Sequence, residues 1–324
     1  MAAYHLTDDQ FIDEWKELGS PILFAEKHKM NPRAVMNRRR SIEFRHGIRL
    51  ETFNSQRNVA VPIKRIEQTP GHARRGMEME KGRVVVFSDA HFWPDDFTTA
   101  YKALLLILRE FKGSIKAVVA NGDVFDGSQA SRHPRIGWTN TPTVKEELEA
   151  CQEFMAGIEK ETVGAELIWT LGNHDARFET FLSAQTGAYE GVKGFTLKDH
   201  FPMWKPCWSF WVNNDTCIKH RWKGGFAAGR SNALNSGVNI ITGHTHNLAV
   251  QPITDYNGTR YGVQTGTLAD PNAEQFVHYT EDNPKDWRSG FALLSWENGR
   301  LLLPELIQVS GEDEFEFRGC INKV

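Results

Sequence analysis

The sequence predicts an α/β protein: a mixed-sheet β-sandwich flanked by helices, with a small all-α helix-turn-helix domain at the N-terminus. Three observations predict it. Residues 84–87, 115–120, 167–170 and 238–242 are apolar runs rich in β-branched side chains and bounded by turn formers, which marks short buried strands. Helical patterns at residues 97–111 and 143–160 separate the first three runs, which implies parallel crossovers. After Asp199 the punctuation changes to hairpin turns, which argue antiparallel pairing.

Taken in order, residues 7–22 form the first expected helix. Thr7 caps it, Asp8, Asp9, Asp13 and Glu14 suit its positive end, and Phe11, Ile12, Trp15 and Leu18 recur at helical spacing. Gly19-Ser20-Pro21 resets the chain. Residues 22–28 fit a short helix, and Met30-Asn31-Pro32 supplies a turn, an N-cap and a first-position proline for a third helix over residues 33–44. That is the outline of a helix-turn-helix. Between residues 27 and 49 eight Lys and Arg face only Glu43, and Lys29, Arg33, Arg38, Arg39 and Arg40 are the candidates for contact with nucleic acid. The bland alternative is a solvated basic helix in a small bundle.

Residues 54–81 are polar and lack periodicity, so they read as a linker or arm between a domain at 1–53 and one at 82–324. Three hairpins are expected in the latter: residues 208–212 with 216–219 around Asn213-Asn214-Asp215, 248–254 with 260–265 around Asp255-Tyr256-Asn257-Gly258, and 291–296 with 301–304 around Glu297-Asn298-Gly299.

Composition is ordinary for a globular chain of 324 residues, without repeats or low-complexity tracts. The N-terminus lacks a basic segment followed by an apolar core, and no apolar stretch approaches a membrane span, so a soluble cytoplasmic protein with no membrane partner is expected. The four cysteines form no Cys-x-x-Cys pair and are read as reduced and structural; a Cys207–Cys217 disulfide is the less favoured alternative. The net charge of −3 hides an asymmetry: residues 1–75 carry 14 Lys and Arg against 9 Asp and Glu. An acidic partner is expected for that segment alone.

Four polar runs follow the four predicted strands: Ser88-Asp89-Ala90-His91, Asn121-Gly122-Asp123-Val124-Phe125-Asp126, Gly172-Asn173-His174-Asp175 and Gly243-His244-Thr245-His246. They sit at strand carboxyl ends, the edge where open α/β sheets bind ligands. Carboxylates, imidazoles and an amide oxygen suit Mn²⁺, Zn²⁺ or Fe²⁺, and the absence of clustered thiolates argues against structural zinc. The candidates outnumber the needs of one ion. Two ions about 3.5–4 Å apart, bridged by a carboxylate, clamp a phosphoryl group and draw a nucleophile from water. A capping or turn role explains Asp89 or Asp123 singly, but not both beside two histidine motifs. Hydrolase elbows, phosphate loops, dinucleotide fingerprints and zinc-protease helices are absent from the sequence.

Asp89-x-His91, Gly122-Asp123-x-x-Asp126, Gly172-Asn173-His174-Asp175, His220 after a strand, and Gly243-His244-x-His246 together resemble the calcineurin-like metallophosphoesterase superfamily over roughly residues 82 to 270. The resemblance implies that fold and a phosphoesterase with two divalent ions, manganese first, with zinc, iron or magnesium as alternatives. It implies Asp89, His91 and His246 on the first ion, Asn173, His220 and His244 on the second, and Asp123 bridging. His174 then protonates the leaving oxygen or steadies the transition state, paired with Asp126. His200 and His278 rival His220, but neither ends a comparable apolar run. Arg132, His133 and Arg177 are candidate donors to the substrate phosphate. Phe92, Trp93, Trp138, Trp204, Trp208, Trp211 and Trp222 are candidate stacking surfaces or core.

Gly127 and Asp175 stand where the superfamily's protein phosphatases carry Arg and Glu, which counts against that substrate. The basic first helices favour a DNA-directed nuclease tethered through its helix-turn-helix, an arrangement that resembles phage-borne phosphoesterases. One alternative is a phosphodiesterase or phosphatase of small nucleotides. Another is a non-catalytic DNA-binding regulator with a structural metal site.

Overall fold

The computed structural model describes residues 6–52, 74–131, 141–225, 227–273, 275–276, 280–281 and 283–324. The chain divides into two compact units, Met1–Gln68 and Thr69–Val324.

The first unit contains the three expected helices, Asp8–Leu18, Pro21–Lys27 and Pro32–His46. Thr7 and Gln10 form a reciprocal capping box, Gly19 ends the first helix at φ 52°, and Asn31 accepts the Arg33 amide ahead of Pro32. Phe11, Trp15, Phe24, Val35 and Ile42 form its buried core. Two of the basic candidates are committed inside the unit. Arg38 donates to the Leu6 carbonyl and to Asp8, and Arg39 pairs with Glu43 at 3.0 Å while lying over the Trp15 ring. Lys29, Arg33 and Arg40 are exposed.

The second unit is built on two sheets. Among the described residues, the larger runs in the order Cys320–Lys323, Glu314–Phe317, Glu305–Gly311, Gly290–Glu297, Gly82–Phe87, Ile115–Ala120, Glu166–Thr170 and Lys205–Cys207, with Arg300–Leu301 beside Gly290–Glu297. The smaller runs Arg75–Met77, Phe210–Val212, Thr216–Ile218, Asn239–Thr242, Gly258–Thr265 and Leu248–Asp255. The pairs Gly82–Phe87 with Ile115–Ala120 and Ile115–Ala120 with Glu166–Thr170 are parallel, and Gly290–Glu297 pairs antiparallel on the other side of Gly82–Phe87.

Period-two alternation explains why these strands read as unbroken apolar runs: both faces are covered. Val84, Val86, Ala117, Val119 and Ile168 pack toward Ile218, Ile241 and Val263 of the other sheet. Val85, Phe87, Val118 and Ala120 face the helices Thr99–Glu110 and Val144–Glu161, through Leu104, Leu108, Phe154 and Ile158.

Two features differ from the sequence reading. Arg75–Met77, inside the expected linker, is a strand paired in parallel with Phe210–Val212, because Arg75 and its neighbours satisfy an edge of the smaller sheet. The last hairpin pairs over only Arg300–Leu301, and three further strands, Glu305–Gly311, Glu314–Phe317 and Cys320–Lys323, extend the larger sheet. Residues 54–73 of the expected linker lie outside the described residues. The four cysteines are free thiols, three of them buried. Among the described residues no helix is long and apolar enough to cross a membrane.

Candidate metal centre

The carboxyl ends of the parallel strands of both sheets deliver the four polar runs to one place. The turns are tight enough that Asp89, His91, Asp123, His244 and His246 all adopt left-handed backbone, at φ 51°, 41°, 52°, 69° and 54°. Such conformations cost on the order of 1–3 kcal/mol each for a residue with a Cβ, so the surrounding contacts must hold them. Those contacts run between the motifs. The Asp89 amide donates to the Gly122 carbonyl at 2.9 Å and the His91 amide to the Asp123 carbonyl at 3.0 Å. The His244 amide donates to Asp89 Oδ2 at 2.8 Å, and the His174 amide to Asp123 Oδ1 at 2.8 Å.

Glycines make room for this knitting. A Cβ on Gly122 would overlap the His220 ring, one on Gly172 would overlap the Asp123 carboxylate, and one on Gly243 would lie 2.6 Å from Asp89 Oδ2. Each of these glycines is therefore a contact surface for a candidate site side chain from another segment.

Three groups of potential ligand atoms result, each within 4.8 Å: Asp89 with His91 and His246, Asp123 with His220 and His244, and His91 with Asp126 and His174. His91 Nε2, His220 Nε2, His246 Nδ1 and Asn173 Oδ1 are buried without a hydrogen-bond partner. His220 Nε2 stands 3.1 Å from Asp123 Oδ2 but makes no hydrogen bond to it. The opposite nitrogens are anchored: His91 Nδ1 on Asp126 Oδ1 at 2.9 Å, and His220 Nδ1 on the Asn121 carbonyl at 2.8 Å. Anchoring one ring nitrogen fixes the tautomer that offers the other as a lone pair. Buried lone pairs aimed among carboxylates fit divalent cations.

The electrostatics agree. Burial works against a charged Asp123, yet the His220 imidazole beside it holds the carboxyl well below the usual range. Burial likewise opposes charge on Asp89 and Asp126, and His246 on the first, with His174 and His91 on the second, hold both low. Burial alone would depress His220, but Asp123 pushes it up to about 9. A field that retains a proton there also favours a cation in its place. His174 is raised too: burial opposes it, and the Asp126 and Asp123 carboxylates together outweigh burial.

The expected residues therefore gather as follows. Asp89, His91, Asp123, His220, His244 and His246 supply two of the three groups. His174 Nδ1 meets the Asp126 carbonyl at 2.8 Å and Asp126 Oδ1 at 3.1 Å. Arg177 lies beside His174. Arg132 and His133, with Trp138 and the rival His278, lie outside the described residues. The other rival, His200, bonds the Gly194 carbonyl away from the centre. Phe92 and Trp204 are core, whereas Trp208 and Trp222 are about half exposed.

Two buried carboxyls escaped the sequence reading as site residues. Asp175 accepts from the amides of Asp123 (2.9 Å), Val124 (3.0 Å), Phe125 (3.1 Å) and Gly172 (2.8 Å) and from Trp169 Nε1 (2.9 Å). Its adjacency to Asn173-His174 was the available signal. Glu147, in the first turn of Val144–Glu161, accepts the Gly127 amide at 2.6 Å. Burial and the Asp126 charge push it up to about 8. No pattern in the sequence marks it, because it arrives from a helix distant from the motifs.

Residues 82–250 match the sequence model of a family described as calcineurin-like phosphoesterase. The chain belongs to this family, whose members use a dinuclear divalent site, and it is a metal-dependent phosphoesterase. Solved structures similar to it include Vps29 of Entamoeba histolytica complexed with zinc, at 16% identity and a TM-score of 0.37, covering 74% of this chain and 96% of that one. An archaeal phosphodiesterase has 16% identity and a TM-score of 0.37, covering 70% and 99%. NAD nucleotidase of Haemophilus influenzae has 12% identity and a TM-score of 0.35, covering 75% and 53%. No curated protein sequence matches the chain.

Proposed function

We propose that the chain hydrolyses phosphodiesters of nucleic acid. On this reading Asp89, His91 and His246 would hold one ion, Asn173, His220 and His244 would hold the other, Asp123 would serve both, and manganese is the expected metal. The observation that carries the site assignment is the set of buried, unpartnered atoms of His91, His220, His246 and Asn173, with the opposite ring nitrogens of His91 and His220 anchored. When bound, the two ions supply Lewis acidity toward a phosphoryl group and a nucleophile drawn from water. This chain's own residues do the rest. Asp126 occupies His174 Nδ1, so Nε2 is the nitrogen left to face the leaving oxygen and give it a proton.

DNA as the polymer rests on the basic first unit, in which Lys29, Arg33 and Arg40 remain exposed on and before the third helix. Tethering by that unit raises the local substrate concentration without altering the chemistry. Internal pairing of Arg38 and Arg39 favours a second reading, hydrolysis of small nucleotides with the basic unit serving assembly.

Plasmid nicking and 3′-end resection with Mn²⁺, beside hydrolysis of bis(p-nitrophenyl) phosphate, separate the two. Reversal of charge at Lys29, Arg33 and Arg40 together should weaken DNA cleavage and flatten its salt dependence while leaving the small diester untouched. Unchanged DNA cleavage would remove the tether.

A further inference from the structure

Arg177 lies in the first turn of the helix Asp175–Thr186, half-buried at the centre's edge. Its Nη1 donates to the Asp126 carbonyl at 2.9 Å, and its Nη2 reaches His174 Nε2 at 3.1 Å. Among the described residues it has no carboxylate within ion-pair distance, although it bonds the backbone carbonyl of Asp126. Asp126 already serves His91 and His174.

A guanidinium partly withdrawn from water calls for a counter-charge, and a carbonyl and an imidazole supply only part of one. The stem is placed deliberately. It lies across Gly127, where a Cβ would come within 3.2 Å of both Arg177 Cβ and Cδ. A planar fork fixed at such an edge, with its charge unanswered, matches the oxygens of a phosphoryl group.

We propose that Arg177 is the phosphoryl-recognition residue of this chain. Its guanidinium exchanges the His174 nitrogen for two oxygens of the substrate phosphate. The exchange has a second consequence. With Nδ1 held by Asp126, the Nε2 that faces the leaving oxygen is covered by Arg177 until the anion draws the guanidinium away. The inference rests on reading the centre as one that binds a phosphoryl group, and its test does not use turnover.

Inorganic phosphate is titrated calorimetrically into the full chain loaded with Mn²⁺, with bound metal counted in the same samples. Arg177→Met keeps the stem over Gly127 and removes the charge; it should weaken phosphate binding at least tenfold with both ions retained. Arg177→Lys keeps a point charge without the fork and should fall between the two. Added guanidinium should recover part of the loss in Arg177→Met and none in Arg177→Lys. Phosphate affinity within twofold of wild type in Arg177→Met, with both ions in place, would overturn the proposal and leave Arg177 a brace for the Asp126 carbonyl. Should Arg177→Met fold poorly, wild-type phosphate affinity in Arg177→Lys has the same force. Wild-type protein that binds phosphate but cleaves no nucleic-acid diester contradicts the proposed substrate and leaves the role of Arg177 standing.

Discussion

His91 Nδ1 and Asp126 Oδ1 lie 2.9 Å apart, so the carboxylate that orients His174 also orients His91, a candidate metal ligand. The sequence reading gave Asp126 a single task. The structure ties the orientation of His174 and of His91 to one side chain.

Asp126→Asn should therefore fail in two ways at once. Loss of an outer carboxylate partner weakens a metal–imidazole contact by roughly 10–100-fold. Calorimetric titration with Mn²⁺ should show one of the two ions weakened to that degree, alongside a fall in turnover.

His174→Ala should separate those functions. Removal of a positioned acid costs roughly 10²–10⁴-fold in rate. Kinetics on bis(p-nitrophenyl) phosphate should show that loss while metal analysis still finds two ions per chain. Intact function in this variant would favour a structural metal site.

Asp175→Ala should strike stability and the centre together. Five buried N–H groups lose their common acceptor, three of them in the Asp123–Phe125 turn. Removal of one side of a buried charged network costs roughly 3–5 kcal/mol. Urea unfolding should register that loss, and metal content should drop with it.

Glu147 gives the pH dependence. Burial and Asp126 raise it from 4.5 to about 8, so the folded chain holds this proton more tightly than the unfolded chain does. Its contribution is fully present below about pH 4.5 and is lost as pH rises to about 8, with a slope of at most roughly 1.4 kcal/mol per pH unit. Glu147→Gln should abolish that slope. Urea unfolding of both forms in chelator at pH 5, 6.5 and 8 should show the variant's relative stability increasing with pH.

What could be read from the sequence follows from range. Candidate site residues lie directly after apolar strands, so Asp89, Asp123, His174 and His244 announce themselves within a few residues. His220 was legible through the strand before it, which the structure places at Thr216–Ile218. Arg75–Met77 was not, because Arg-Gly-Met carries no strand pattern and becomes a strand only through a partner some 135 positions away at Phe210–Val212. Asp175 was legible as a motif residue but not as the acceptor for two loops. Glu147 was invisible for the same reason: its environment is assembled by tertiary contacts.

The central claim is a two-ion centre in which both ions are needed for hydrolysis. Its most direct test titrates metal-free protein with Mn²⁺ while bound metal and turnover of bis(p-nitrophenyl) phosphate are read from the same samples. Activity should appear with the second ion and level off at two per chain. Full activity in chelator, or saturation at one ion, would contradict it.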